Sequence, residues 1–234
     1  MEKNMKRLGP VVLLLTLAVA TTSAGDIARF ANLGFSPDSR VFLFGQYGIT
    51  HPEGNPFAEI YAVNVPDNVF LPKGVQSRTF SRTLSGGQDG SGALYTLLPL
   101  FQPLIGQHQI DHLSQGRIIY LFIDGESDPQ PRVSFRDFRT GTSYTLDLVQ
   151  EARGRGADGS AAFHLNLQAR YSDGTTLEQQ VGRPTLFREG VNRYRIGRVI
   201  VSPDNTSLVV VMERITDIAG GRRIRYMVET VRLR

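Results

Sequence analysis

The sequence predicts a mainly β protein. We expect an antiparallel β-meander of propeller-blade-like units, with a β-sandwich as the alternative, and one short helical insertion near residues 93–109. Two observations favour this. Ser-Pro-Asp turns begin at Ser36 and Ser202, 166 residues apart, which is close to four units of about 40 residues, the length of a propeller blade. Three runs are apolar at every position, as in strands covered on both faces: Val41–Phe44, Ile118–Ile123 and Leu208–Met212.

Length and composition allow a folded core. The chain has 234 residues, of which 41% are hydrophobic and 21% charged, ordinary values for a globular protein. Its 24 Gly and 12 Pro residues suit many short strands joined by turns. The formal net charge is +4, and the first nine residues contribute +2 of it. Because no basic stripe with interleaved aromatic residues follows, we expect no nucleic acid partner.

The first 24 residues have the pattern of a signal peptide. Met1–Gly9 is positively charged, Pro10–Ala20 is apolar, and small residues precede a cleavage site after Ala24. The apolar run is shorter than the ~20 residues that span a bilayer. We therefore expect residues 25–234 to form a single β-rich domain, periplasmic or secreted, with no stable membrane anchor after cleavage.

The chain contains no cysteine. Disulfide bonds, thiol catalysis and cysteine metal sites are therefore excluded. A domain of this size must be stabilised by the packing of its core.

The first predicted hairpin follows the Ser36 turn. Val41–Phe44 forms one strand and Glu59–Val65 its partner, and a polar loop connects them. A strand pair this apolar would hold the loop rigidly, so the loop is our first candidate for a binding surface. Its candidate binding residues are His51, Glu53 and Asn55. The alternative is an ordinary hairpin connection.

Residues 66–92 have the least regular pattern, and a helical segment follows them. An apolar face at spacings of three and four runs from Leu94 to Ile105. Pro99 and Pro103 are incompatible with one continuous helix. We therefore expect one short turn of helix and a second helix that begins near Pro99.

Two clusters of polar residues are weak candidates for a metal site. His108, Asp111 and His112 lie where the helix should end, and two histidines four residues apart can bind one metal ion. Asp124, Glu126 and Asp128 have the spacing that begins a calcium loop, but Pro129 replaces the required Gly. Local hydrogen bonding and a solvated loop are the alternatives, and we expect no cofactor.

The second half of the chain continues in strands. Residues alternate between apolar and polar from Phe163 to Tyr171, which predicts a strand with one exposed face. The turn at Ser202 leads into the third apolar run, and Arg223–Leu233 is the terminal strand.

Two family resemblances follow from these segments. Gly34–Arg40 with Glu59–Tyr61 resembles a TolB-type propeller blade. Nearly the whole mature chain resembles a bacterial family of predicted secreted proteins of unknown function, through Gly34–Tyr47, Glu59–Val63, Ile110–Tyr120 and Val133–Asp137. This second resemblance implies export and brings no activity.

We therefore expect an exported binding or interaction module of the bacterial envelope. Its partner would be an unknown envelope protein or an extracellular ligand. An extracytoplasmic hydrolase is one alternative, with the His, Asp and Glu residues of the two weak clusters as its candidates. A structural envelope component is the other, and no catalytic residue can be assigned from the sequence.

Overall fold

The computed structural model describes residues 25–123, 130–219 and 221–233. The predicted signal peptide and the candidates Asp124, Glu126 and Asp128 lie outside these ranges. The described residues form thirteen strands: β1 (Asp26–Ile27), β2 (Arg29–Phe35), β3 (Val41–Ile49), β4 (Pro56–Asn64), β5 (Val69–Thr79), β6 (Arg117–Leu121), β7 (Arg132–Asp137), β8 (Thr142–Arg153), β9 (Ser160–Arg170), β10 (Thr176–Glu189), β11 (Arg193–Val201), β12 (Ser207–Ile218) and β13 (Gly221–Arg232).

The strands form three sheets, and the mainly β prediction is confirmed. The first sheet is the antiparallel meander β2-β3-β4-β5, and the third is the antiparallel meander β10-β9-β8-β7. The middle sheet has the order β1-β13-β12-β11-β6. It is antiparallel except that the short β1 runs parallel to β13.

The middle sheet packs against both of the others, which explains the apolar runs. Val209 and Val211 of β12 pack with Phe42 and Phe44 of the first sheet. On the opposite face, residues of β12 such as Val210 pack against the third sheet. β3 is likewise covered on both faces, because its other face packs against the helical segment. The predicted two-sided burial of Val41–Phe44 and Leu208–Met212 is therefore confirmed.

The same prediction is wrong for Ile118–Ile123. Among the described residues β6 ends at Leu121 and pairs only with β11, which makes it an edge strand of the middle sheet. Ile118 remains 51% exposed and Leu121 48% exposed. Apolar composition alone does not show whether neighbouring layers cover a strand.

The two Ser-Pro-Asp turns have the same geometry. The Ser36 hydroxyl accepts a hydrogen bond from the Val41 N–H at 2.9 Å, and that of Ser202 accepts one from the Ser207 N–H at 3.0 Å. The first turn joins the edge strand β2 to β3, and the second joins β11 to the central strand β12. The Ser-Pro-Asp turn therefore recurs as a local structure at two places in the fold.

The helical insertion lies where the sequence predicts it. Helix α1 (Ser91–Leu97), a 3₁₀ turn (Leu98–Phe101) and helix α2 (Gln102–His108) follow one another. The buried side chains of Leu94, Leu97 and Phe101 pack against the first sheet. No helix in the described ranges is long and apolar enough to cross a membrane.

Residues 66–92 contain more structure than expected, because β5 forms the edge of the first sheet. Pro72 and Lys73, with φ 59°, lie within this strand. An edge strand tolerates such irregular positions, since one side needs no partner. In the third sheet, β9 has the predicted alternation, with Leu165 and Leu167 buried and Asn166 exposed.

Candidate functional site

A cleft of about 580 Å³ lies where the three sheets meet. Such a volume suits a small molecule or a short segment of chain. Each sheet contributes to its lining. The first sheet contributes β3, β4, β5 and the turn between β4 and β5, the third sheet contributes β10, and the middle sheet contributes β12 and β13. The lining residues are Phe44, Tyr61, Val63, Asp67, Asn68, Val69, Phe70, Gly182, Arg183, Leu186, Arg188, Arg214, Tyr226, Met227, Val228 and Glu229.

An irregularity in β10 supplies one wall of the cleft. Arg183 pairs with Phe163 of β9, whereas Arg188 pairs with Ala161, so four residues of β10 lie opposite one residue of β9. Bulges of this kind redirect side chains next to functional sites. Here the bulge is flanked by Arg183 and Arg188, and it places Leu186 in the cleft lining.

Three arginines give the cleft its charge. Arg183, Arg188 and Arg214 all line it, and none has an ion-pair partner within 4.0 Å among the described residues. The Arg214 Nε is buried and has no hydrogen-bond partner there. Arg188 makes a long hydrogen bond, 3.5 Å, to the Tyr194 hydroxyl. Arg188 also lies over the Phe163 ring, 5.6 Å from its centroid, so the described contacts of these guanidinium groups leave their positive charge without a carboxylate partner.

Glu229 lies among these cations and only partly offsets them. Burial raises the pKa of its carboxyl, and Asn68, Arg188 and Arg183 act in the opposite direction. The Asn68 Nδ2 donates to the Glu229 Oε2 at 2.5 Å, which fixes the carboxyl against the β4–β5 turn. Because its pKa is raised, this carboxyl stays protonated, and therefore neutral, up to a higher pH than an ordinary Glu.

Aromatic rings form the opposite wall. Tyr61 stacks on Phe44 with ring centroids 4.9 Å apart, and Phe70 contacts Tyr61 at 5.4 Å. The Tyr61 hydroxyl donates to the Glu59 Oε2 at 2.5 Å. Burial, followed by the negative charge of Glu59, raises the pKa of Tyr61. This phenol therefore stays protonated at neutral pH and supports the wall without acting as a base.

The predicted binding loop lies outside the cleft lining. His51, Glu53 and Asn55 belong to the connection between β3 and β4, and the His51–Pro52 peptide bond is cis. The Asn55 carbonyl accepts a hydrogen bond from the Thr50 N–H at 2.8 Å, which closes the loop. Its role in binding stays a prediction.

The described metal candidates attach the end of the helical segment to β2. The His112 Nδ1 lies 2.6 Å from the Leu33 carbonyl oxygen. The Asp111 N–H donates to the Phe35 carbonyl at 3.0 Å, and its Oδ1 accepts from the Leu113 N–H. In the described ranges, no three His, Asp or Glu side chains lie close enough together to hold a metal ion. This holds for His108, Asp111 and His112. Asp124, Glu126 and Asp128 lie outside those ranges, so the metal hypothesis stays a prediction.

Sequence reasoning missed the residues of the cleft. Arg183 and Arg188 lie between the alternating strand predicted over Phe163–Tyr171 and the turn at Ser202. The available signal was a pair of arginines around an apolar Leu186–Phe187 in a segment with no assigned role. Arg214 and Glu229 lie in or next to strands whose apolar pattern predicted a role in the core and gave no sign of a binding site.

Fold and cleft together define an all-β protein of three packed sheets with a basic, aromatic-walled cleft. The chain belongs to the family described as predicted secreted protein (DUF2259), whose family model matches residues 43–232. The resemblance to a predicted secreted family is thereby confirmed. Comparisons with curated proteins and with solved structures gave no significant match.

Proposed function

We propose that this protein is an exported binding module of the bacterial envelope that takes an anionic ligand into the cleft. The observation that carries the proposal is the set of three arginines, Arg183, Arg188 and Arg214, which line the cleft without ion-pair partners among the described residues. Guanidinium groups form strong, often bidentate hydrogen bonds with carboxylates and phosphates.

The charge balance of the lining supports an anion. Three guanidinium groups face two carboxyl groups, those of Asp67 and Glu229. The raised pKa of Glu229 weakens its compensation of the positive charge. Each charge-assisted hydrogen bond to a ligand would contribute on the order of 1.5–3 kcal/mol.

The walls of the cleft add an apolar surface to its charged groups. The rings of Tyr61 and Phe70 offer this surface to the non-ionic part of a ligand, and the buried ring of Phe44 supports Tyr61 from behind. The phenol of Tyr61 has a raised pKa, so it stays uncharged at neutral pH and adds no negative charge that would oppose an anion.

A comparison of two double variants tests the proposal. Titration calorimetry would measure the binding of citrate, pyrophosphate, glucuronate and a glutamate-rich peptide to the mature protein. We expect at least one to bind, and Arg183→Ala with Arg188→Ala to weaken that binding at least tenfold. The control, Arg136→Ala with Arg170→Ala, removes the same charge from exposed positions outside the cleft lining.

The control variant should bind like the wild type. Equal losses in both double variants would mean that general surface charge, not the cleft, attracts the anion. Absence of binding by all four probes would remove the proposal.

A further inference from the structure

The cleft runs along an edge of the middle sheet that no described strand covers. β1 pairs with β13 only at Arg223 and Ile224. The Ala28 N–H donates to the Ile224 carbonyl, and the chain then turns away to form β2 in the first sheet. Beyond Ile224, this edge of β13 has no strand partner in the described part of the chain.

Side-chain amides occupy two positions along this edge. The Gln46 Oε1 accepts from the Tyr226 N–H at 2.7 Å, and the Gln46 Nε2 donates to the Tyr226 carbonyl at 3.1 Å. These are the two bonds that a neighbouring strand would make. The Thr230 N–H donates to the Asn68 Oδ1 at 2.8 Å. The main-chain groups of Tyr226 and Thr230 therefore point away from β12.

Val228 lies midway between these two positions and lines the cleft. The register of β12 with β13 is unbroken from Ser207 to Ile218. Outward-pointing residues recur every second position in an antiparallel ladder, so the N–H and C=O of Val228 also point outward, toward the cleft. The four-residue step from Tyr226 to Thr230 gives this edge a length of about 13 Å at ~3.3 Å per residue.

We infer that the cleft binds an extended acidic peptide segment as an additional strand of the middle sheet, paired with β13 at Val228. This inference rests on the proposed function, from which it takes the negative charge of the ligand. Successive side chains of an extended segment point to opposite faces. One set would face the rings of Tyr61 and Phe70, and the other would face Arg183 and Arg188 of β10. The matching sequence alternates apolar and acidic residues.

Peptides with a blocked backbone edge test the strand pairing. The reference probe is an acetylated, amidated tetrapeptide of alternating Val and Glu, which at ~3.3 Å per residue matches the length of this edge, and its binding to the mature protein is measured by titration calorimetry. Two further versions carry N-methyl groups at alternate residues, one version for each edge of the strand. We expect one methylated version to bind at least tenfold more weakly and the other to bind like the reference. Replacement of Glu by Lys should abolish binding.

Amide hydrogen exchange locates the bound peptide. Addition of the reference peptide should slow exchange at the Val228 N–H at least tenfold, whereas Tyr226 and Thr230 already have partners and should change little. Equal binding of both methylated versions would overturn strand pairing. Binding of citrate or pyrophosphate without the peptide would overturn it too, and either result would leave the anion site standing. Failure of every acidic probe would remove both proposals.

Discussion

At the scale of single residues, Glu229 shows how burial changes the charge of the cleft. Its carboxyl is held by Asn68 and lies among arginines, yet burial dominates and raises its pKa above the ordinary 4.5. The folded protein therefore binds this proton more tightly than the unfolded chain does. Stability from this group is full below about pH 4.5 and is lost as the pH rises through the folded pKa.

Replacement of Glu229 by Gln should remove this dependence, because Gln keeps an acceptor for Asn68 and cannot ionise. Urea unfolding followed by circular dichroism at pH 4.5 and pH 7.5 would measure the free energies. The loss of stability between the two values should be smaller in the variant than in the wild type. Glu53→Gln, an exposed control, should follow the wild type. A variant that loses as much stability as the wild type would contradict the role given to burial.

At the scale of elements, the Ser-Pro-Asp turns are small hydrogen-bonded units that join two neighbouring strands, β2 to β3 and β11 to β12. In each, a buried Ser hydroxyl bonds both an Asp carboxylate and a main-chain N–H. The hydrogen bond from Ser36 holds the pKa of Asp38 below its usual value. The local pattern made these turns predictable from sequence, since all their partners lie within five residues.

Replacement of Ser36 or Ser202 by Ala should cost about 1–3 kcal/mol of unfolding free energy, because a buried N–H loses its acceptor. The losses at the two positions should be similar, as the hydrogen-bond distances are. Urea unfolding at pH 7 measures both. Ser81→Ala, at an exposed position, is the control and should change stability by less than about 0.5 kcal/mol. A negligible cost at both turns would show that water replaces the hydroxyl.

At the scale of the whole molecule, the sequence predicted correctly those features that depend on a local pattern of residues. Unbroken apolar runs identified β3 and β12, and spacings of three and four located the helical segment. The exposure of β6 was missed, because the position of a strand within its sheet depends on pairings distant in sequence. The cleft was missed for the same reason: Arg183 and Arg214 come together only when the three sheets pack. The spacing of residues along the sequence does not predict that arrangement.

The first and last described strands meet at Asp26, whose buried carboxylate joins β1 to β13. Asp26 is 1% exposed, and its carboxylate pairs with Arg225 at 2.9 Å and Arg223 at 3.0 Å. Loss of one partner from a buried ion pair leaves an uncompensated charge, which costs about 3–5 kcal/mol. Because Arg223 is half exposed, we expect Asp26→Ala to cost about 3 kcal/mol, near the lower end.

The exposed pair of Arg132 and Asp147, 3.5 Å apart, provides the control. Asp147→Ala should cost less than about 1 kcal/mol, because solvent screens such pairs. Urea unfolding of both variants in 0.1 M and 1 M sodium chloride would separate the two effects. Salt should reduce the small cost at Asp147 and change the cost at Asp26 little, since screening acts weakly on buried charges. Equal costs at the two positions would mean that the junction of β1 with β13 does not contribute to the stability of the molecule.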